Sequence, residues 1–198
     1  VAAQIRDNGG KAIAIETDVT DPAQVQAMVA TTLSTYGAAL HILHSNAGVL
    51  IAGSVHDMSQ ALWEKSIAVN MTGSFLCVKH AIPALPRSGG GSIIITSSSS
   101  GLQGEKVSAA YNATKGGLIN FTRQLAVDYA HDNIRVNALC PGWIDTPFND
   151  PIYEGAGFTK ESTYKAIPLG RQGTPEAAAY AVLFWSAMNH PISQGTCS

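Results

Sequence analysis

Residues 92–101 read Ser-Ile-Ile-Ile-Thr-Ser-Ser-Ser-Ser-Gly, and this stretch decides the fold. Three successive isoleucines leave no polar face, so Ser92–Thr96 reads as a strand buried on both sides. Such strands belong to parallel sheets covered by helices on both faces. The strand then runs into Ser97, Ser98, Ser99, Ser100 and Gly101, a polar edge following an apolar core segment. In open parallel sheets that edge is where ligands bind.

Outward from this centre, strand and helix patterns alternate. Upstream, Gly89–Gly91 is a loop, and Ser59 to about Leu85 is helical, with a break expected around Asn70. Leu40–Ser45 is a short apolar strand that delivers Asn46-Ala47-Gly48. Before it, Thr20-Asp21-Pro22 opens a helix that Tyr36-Gly37 closes. Lys11–Val19 alternates and is rich in β-formers, which predicts another strand, and Val1–Asp7 reads as the last turns of a helix stopped by Asn8-Gly9-Gly10. Downstream, Ser108 to about Ala130 is a long helix, and Ile134–Leu139 is a strand leading to Pro141-Gly142. Asp145 to about Arg171 is irregular or short-helical, and Pro175–Met188 is a last helix. The fold class is α/β: one doubly wound, Rossmann-like parallel sheet flanked by helices, spanning residues 1–198 as a single domain. The chain begins at Val1 and stops at Gly195-Thr196-Cys197-Ser198, where a strand is due. The sheet is therefore expected to be incomplete at both ends, with a targeting segment left open.

Composition narrows the function. With 45% hydrophobic and 13% charged residues, 198 residues suffice for a substantial core. A formal net charge of -2 and the lack of a basic stripe do not indicate nucleic acid. No apolar run reaches membrane-spanning length. Cys77, Cys140 and Cys197 are odd in number and scattered, which fits a reducing compartment such as the cytoplasm. His41 and His44 lie three apart on a strand and point to opposite faces, so they read as structural rather than metal-binding.

Four segments stand beyond strand ends: Asp18-Val19, Asn46-Ala47-Gly48, Ser97–Gly101 and Pro141-Gly142. Taken singly, each has an ordinary explanation. Asp18 serves as a turn former or cap, Pro141-Gly142 as a plain turn, and Asn70 as a helix-interior residue bonded to backbone. Tyr111 and Lys115, four apart on a helix, share a face and read equally as a solvated pair. A cation close to a phenol would lower its pKa from about 10 toward neutrality, giving a usable proton donor and acceptor.

As a set, Asp18-Val19, Asn46-Ala47-Gly48, Val69-Asn70, Ser98/Tyr111/Lys115, Ile134-Arg135-Val136-Asn137, Pro141-Gly142 and Asp145-Thr146-Pro147 resemble the short-chain dehydrogenase/reductase family. The resemblance implies an oxidoreductase that moves a hydride between NAD or NADP and a small alcohol or ketone substrate. It implies Tyr111 as acid/base and Lys115 as the residue that lowers its pKa and bonds the nicotinamide ribose. Ser98, thirteen before the tyrosine, would hold the substrate oxygen, with Ser97, Ser99 and Ser100 as competing neighbours. Asn70 would hold a water linking the lysine to solvent. Asp18 would contact the adenine amino group beside Val19, and Asn46, Ala47 and Gly48 would form the turn along the cofactor ribose. Pro141, Gly142, Ile144 and Thr146 would grip the nicotinamide carboxamide. Residues 145–171 would form the substrate lid, with Phe148, Ile152, Tyr153, Phe158 and Tyr164 as an apolar wall. Paired helices around Asn70–Leu85 and Ser108–Ala130 would build a homodimer or homotetramer, the alternative being deeper burial within one monomer. A non-catalytic binding or regulatory relative of the same fold is the other reading.

Departures also carry expectations. The family's glycine-rich phosphate loop (TGxxxGxG) is absent from the sequence, and Gly89–Gly91 precede a strand rather than open a helix. So is the residue that discriminates NAD from NADP. In the family's strand order, 3-2-1-4-5-6-7, the chain would supply strands three to six, leaving Lys11–Val19 without its inner neighbours. The 198 residues alone are expected to bind dinucleotide poorly.

Overall fold

The computed structural model of the chain describes residues 1–155 and 157–187. Met188, Cys197 and the Gly195–Ser198 stretch lie outside the described residues. The elements are α1 (Ala2–Asp7), α2 (Pro22–Tyr36), β1 (Ile42–Ser45), α3 (Gln60–Ser66), a π-helical segment (Ile67–Thr72), α4 (Gly73–Ala81), β2 (Gly91–Thr96), α5 (Ala109–Asp128), β3 (Ile134–Leu139), α6 (Asp150–Gly155), α7 (Lys160–Ala166) and α8 (Pro175–Ala187).

The sheet is parallel, in the order β1-β2-β3, with Ile42 opposite Ser92 and Gly91 opposite Ile134. Each crossover is helical, as parallel pairing requires. On one face, Ile93 and Ile95 of β2 and Ile134 and Val136 of β3 pack with Val78 and Leu85 and with Leu118 and Leu125 of α5. On the other face lies α8. There Arg135 of β3 donates from Nη1 to Trp185 O at 2.8 Å and from Nη2 to Ser186 O at 3.2 Å. A guanidinium thus meets two backbone carbonyls in the last described turn of α8.

Helix boundaries follow local chemistry. Asp21 caps α2, accepting from the backbone N–H of Ala23 at 2.8 Å and Gln24 at 3.3 Å, with Pro22 in the first turn. Thr159 and Ser162 form a reciprocal capping box on α7. The expected break around Asn70 is a π-helical segment between α3 and α4. Such insertions recur at functional sites.

Two expectations need correction. Lys11–Val19 forms no strand, and among the described residues none pairs with it. A strand is defined by a ladder, so β-propensity alone leaves this segment extended but unpaired. The strand expected over Leu40–Ser45 begins at Ile42, because the Leu40 amide turns to Ala84 O at 3.3 Å. The helices expected to pair across a dimer also contribute to the monomer's own core. In α5, Leu118, Ile119, Leu125 and Ala126 are buried, and Val127 is 75% exposed.

Candidate active site

The carboxyl ends of β1, β2 and β3 open onto one cleft of about 630 Å³. The edge of β2 supplies its serines. Ser97 is used structurally: its hydroxyl donates to Lys115 O at 2.7 Å and its amide to Leu139 O at 2.7 Å. Ser98 lines the cleft, caps the short 3₁₀ turn that follows, and accepts from the Ser100 amide at 3.2 Å. Its hydroxyl donates to Ser100 Oγ at 3.1 Å and lies near enough to the Tyr111 phenol to lower its pKa. Among the four serines, the geometry therefore favours Ser98 as the hydroxyl beside the phenol.

Gly101 allows this approach. A Cβ there would lie 2.7 Å from the carbonyl carbon and oxygen of Lys115 and 2.9 Å from Gly116 N. Backbone packs on backbone at that point, and only glycine fits. Sequence reading saw Gly101 merely as the end of the serine run.

Tyr111 and Lys115 sit on α5, are both buried, and face the cleft. Burial pushes the Tyr111 phenol above its ordinary value; the Ser98 hydroxyl works against this, and the nearby Glu105 carboxylate adds to it. The expected lowering by Lys115 is not found. The Lys115 ammonium stands 5.5 Å from the centroid of the Tyr111 ring and donates to Thr96 O at 2.7 Å, so it faces the ring rather than the hydroxyl. Lys115 itself is pushed down to about 8 by burial, with the Cys140 thiol pulling slightly the other way.

Asn70 is fully buried in the π-helical segment, and its carboxamide is engaged on both sides. Oδ1 accepts from Val49 N at 2.8 Å, and Nδ2 donates to Val49 O at 3.0 Å and to Thr114 Oγ1 at 3.1 Å. It therefore ties the loop after β1 to α5. Gly48 lies between Asn70 and Lys115: a Cβ there would be 3.2 Å from Asn70 Oδ1 and 3.6 Å from Lys115 Nζ. Asn46 and Gly48 line the cleft, while Ala47 between them does not.

Pro141, Gly142, Ile144 and Thr146 line the cleft from the β3 side, where Pro141 O accepts from the Ser99 amide at 2.9 Å. Asp18 and Val19 stand outside its walls. Asp18 Oδ1 accepts from the Thr20 amide and hydroxyl, each at 2.8 Å, which holds its carboxyl below the usual range. Val19 packs toward Gly73, where a Cβ would meet Val19 Cγ2 at 2.7 Å.

The expected lid segment folds into α6, α7 and short turns, and it brings aromatics to the cleft. Phe148 lies 6.1 Å from the Tyr111 ring, and Trp143 stacks on Tyr153 at 6.1 Å and lies 6.3 Å from Phe158. Buried Gln172 anchors this wall, donating to Tyr153 Oη at 2.6 Å and Thr163 Oγ1 at 2.8 Å. Thr163 spends its own proton on Lys160 O, which fixes the direction of the chain of hydrogen bonds. Asp145 pairs with Lys160 at 2.5 Å across the same segment. Sequence reading did not name Trp143, Glu105 or Gln172. Trp143 could have been found from its place beside Pro141-Gly142, whereas the other two carry no local signal.

Similarity to known proteins agrees with this geometry. The sequence profile described as Enoyl-(Acyl carrier protein) reductase matches residues 1–193. The uncharacterized oxidoreductase YxbG of Bacillus subtilis (strain 168) is 41% identical over 186 residues, covering 91% of this chain and 67% of that protein. Cis-4-hydroxycyclohexanecarboxylate dehydrogenase of Sinomonas cyclohexanicum is 38% identical over 186 residues, covering 93% of this chain and 73% of the relative. The solved gluconate 5-dehydrogenase from Burkholderia cenocepacia J2315, in complex with NADP and tartrate, superposes with a TM-score of 0.91 at 27% identity, covering all of this chain and 76% of that one.

Proposed function

The chain belongs to the short-chain dehydrogenase/reductase family, and from that premise we propose that Tyr111, Ser98, Lys115 and Asn70 form its proton-transfer centre. The protein is an oxidoreductase that uses NAD(P) on alcohol or carbonyl groups. The observation that carries the assignment of residues is the meeting of the Ser98 hydroxyl and the Tyr111 phenol in one cleft beyond the strand ends.

The cleft fits the nicotinamide end of a dinucleotide at its sheet edge, while the family's phosphate-binding loop is absent from this sequence. Gly142 leaves backbone open to a ligand, with nothing within 4 Å of a Cβ built there. Asn46, Gly48, Thr96, Pro141, Ile144 and Thr146 would hold the group there. When bound, a nicotinamide supplies or accepts the hydride. The chain's own residues handle the proton. With its pKa raised, Tyr111 is a phenol at neutral pH and donates to the substrate oxygen during carbonyl reduction. Ser98 donates a second hydrogen bond to the same oxygen as charge develops on it, a contribution of about 3 kcal/mol in comparable sites. Lys115 keeps a positive charge behind the ring, and Asn70 holds the loop after β1 against α5.

Asp18 and Val19 remain candidates for an adenine contact outside the cleft, supported by position alone. Residues 145–171 act as the substrate lid, supported by their aromatic wall. The substrate is a small alcohol or ketone, and a homodimer or homotetramer and a cytoplasmic location complete the reading. The location is supported by the free thiols of Cys77 and Cys140. Among the described residues no helix is long and apolar enough to cross a membrane.

Tyr111→Phe tests the proposal. It removes the acid and leaves the ring. Turnover of secondary alcohols with NAD or NADP should fall by about two to four orders of magnitude, with an unchanged circular dichroism spectrum. A variant that keeps the wild-type rate sinks the assignment and favours the non-catalytic reading.

A further inference from the structure

We propose that Glu105 is a specificity-determining residue: its carboxylate receives a hydrogen-bond donor of the substrate and turns away substrates that carry an anionic group beside the reacting carbon. The inference rests on Tyr111 as the proton-transfer residue. Glu105 lines the same cleft as Ser98, Ser100 and Tyr111 and is half-buried. Among the described residues its carboxylate has no hydrogen bond or ion pair. A carboxylate on the cleft wall without a partner is open to a donor that a ligand supplies.

The turn that carries Glu105 is held at several points. The Gly53 amide donates to Val107 O at 2.7 Å, Ala109 N donates to Gly53 O at 3.3 Å, and Asn112 Nδ2 donates to Gln103 O at 2.9 Å. Val107 takes a left-handed backbone with φ of 50°, which a β-branched residue adopts only under constraint from its surroundings. The carboxylate is thus presented by a fixed turn, not by a free loop.

The other charged or titratable groups lining the cleft are accounted for. Lys115 donates to Thr96 O, and His44 Nε2 bonds the Thr96 hydroxyl at 2.9 Å, both toward the sheet edge. Lys106 lines the cleft but is exposed, and it is Glu105, not Lys106, whose charge reaches Tyr111. Around the reacting centre the remaining wall is apolar, with Leu50, Phe148, Ile152 and Phe158. The substrate class this describes is an alcohol or ketone with an apolar body and a neighbouring hydroxyl or ammonium. A carboxylate in that position meets like charge at partial burial.

The test uses the full-length protein with 2-oxo-4-phenylbutanoate, whose carboxylate adjoins the reacting carbonyl, and its methyl ester as probes, titrated by calorimetry with NADP and with NAD. Wild type should bind the ester about tenfold tighter than the acid, the discrimination expected of one like-charge contact at partial burial. Glu105→Gln and Glu105→Leu should both bring the two probes within about threefold of each other. In parallel, Glu105→Gln should move the ultraviolet titration of the phenol, isolated by difference from Tyr111→Phe, to lower pH. Equal binding of acid and ester by wild type, or a ratio unchanged in both variants, overturns the proposal. Turnover of the ester is scored separately. Its absence in wild type counts against the oxidoreductase centre, while the binding ratio still decides the role of Glu105.

Discussion

Lys115 shows how a site residue can work against the fold. The residue is 2% exposed and its pKa is lowered from 10.5 to about 8. Between those values the unfolded chain binds more protons than the folded one, so this group's contribution to stability rises as pH increases from 8 to 10.5. Below pH 8 the cost is fully present, on the order of 3 kcal/mol for a difference of 10.5 − 8 = 2.5 units. Lys115→Met keeps a long side chain and removes the charge, at the loss of a hydrogen bond to Thr96 O worth about 1 kcal/mol. The variant should be inactive yet more stable than wild type at pH 7, by on the order of 1–2 kcal/mol. Urea midpoints measured from pH 7 to pH 10 should converge. A gap that widens with pH would contradict the assigned burial cost.

At the scale of elements, what joins β2 to α5 is a missing side chain. Gly101 lets the turn carrying Ser98 rest on the backbone of Lys115 and Gly116. Gly101→Ala places a methyl group against atoms that cannot rotate away, so the turn must lift from the helix. Overpacking of this kind costs about 1–3 kcal/mol. It also moves Ser98 relative to Tyr111, and a shift near 1 Å in a reacting constellation costs about a hundredfold in rate. We expect kcat/KM to fall by roughly 10- to 100-fold while the folded signal persists. Wild-type kinetics in this variant would show that the contact does not position Ser98.

This element also marks how far the sequence could be read. The continuous isoleucines of β2, the Asp21 cap and the Tyr111/Lys115 spacing are local signals, and each gave its structure directly. The Lys11–Val19 strand was misread because a ladder depends on a neighbour, which alternation within one segment does not reveal. The direction of the Tyr111 shift was misread because spacing places Lys115 on the same face but does not say whether its amine reaches the hydroxyl or the ring. Glu105, Gly101 and Gln172 were missed because their roles exist only once distant segments meet.

At the scale of the whole molecule, the layer on the far side of the sheet also shapes the cleft. α8 lines it with Pro175, Ala178, Ala179 and Val182. That helix is held to β2 and β3 by few apolar contacts of full burial, since none of its residues is buried. The Trp185 and Ser186 carbonyls are held by Arg135, and that of Trp185 also accepts from Ser92 Oγ at 3.2 Å. Arg135 is 8% exposed, so its hydrogen bonds to Trp185 O and Ser186 O are shielded from water and costly to lose. Arg135→Met retains much of the stem and removes the fork. It should lower stability by about 2 kcal/mol, or roughly 4–8 °C in Tm for a chain of this size. Because α8 forms one wall of the cleft and carries none of the proton-transfer residues, the loosened helix should raise KM several-fold with a much smaller change in kcat. Steady-state kinetics beside a thermal melt separates the outcomes: a fall in kcat with KM unchanged would place the effect of Arg135 on the reacting centre and not on the wall.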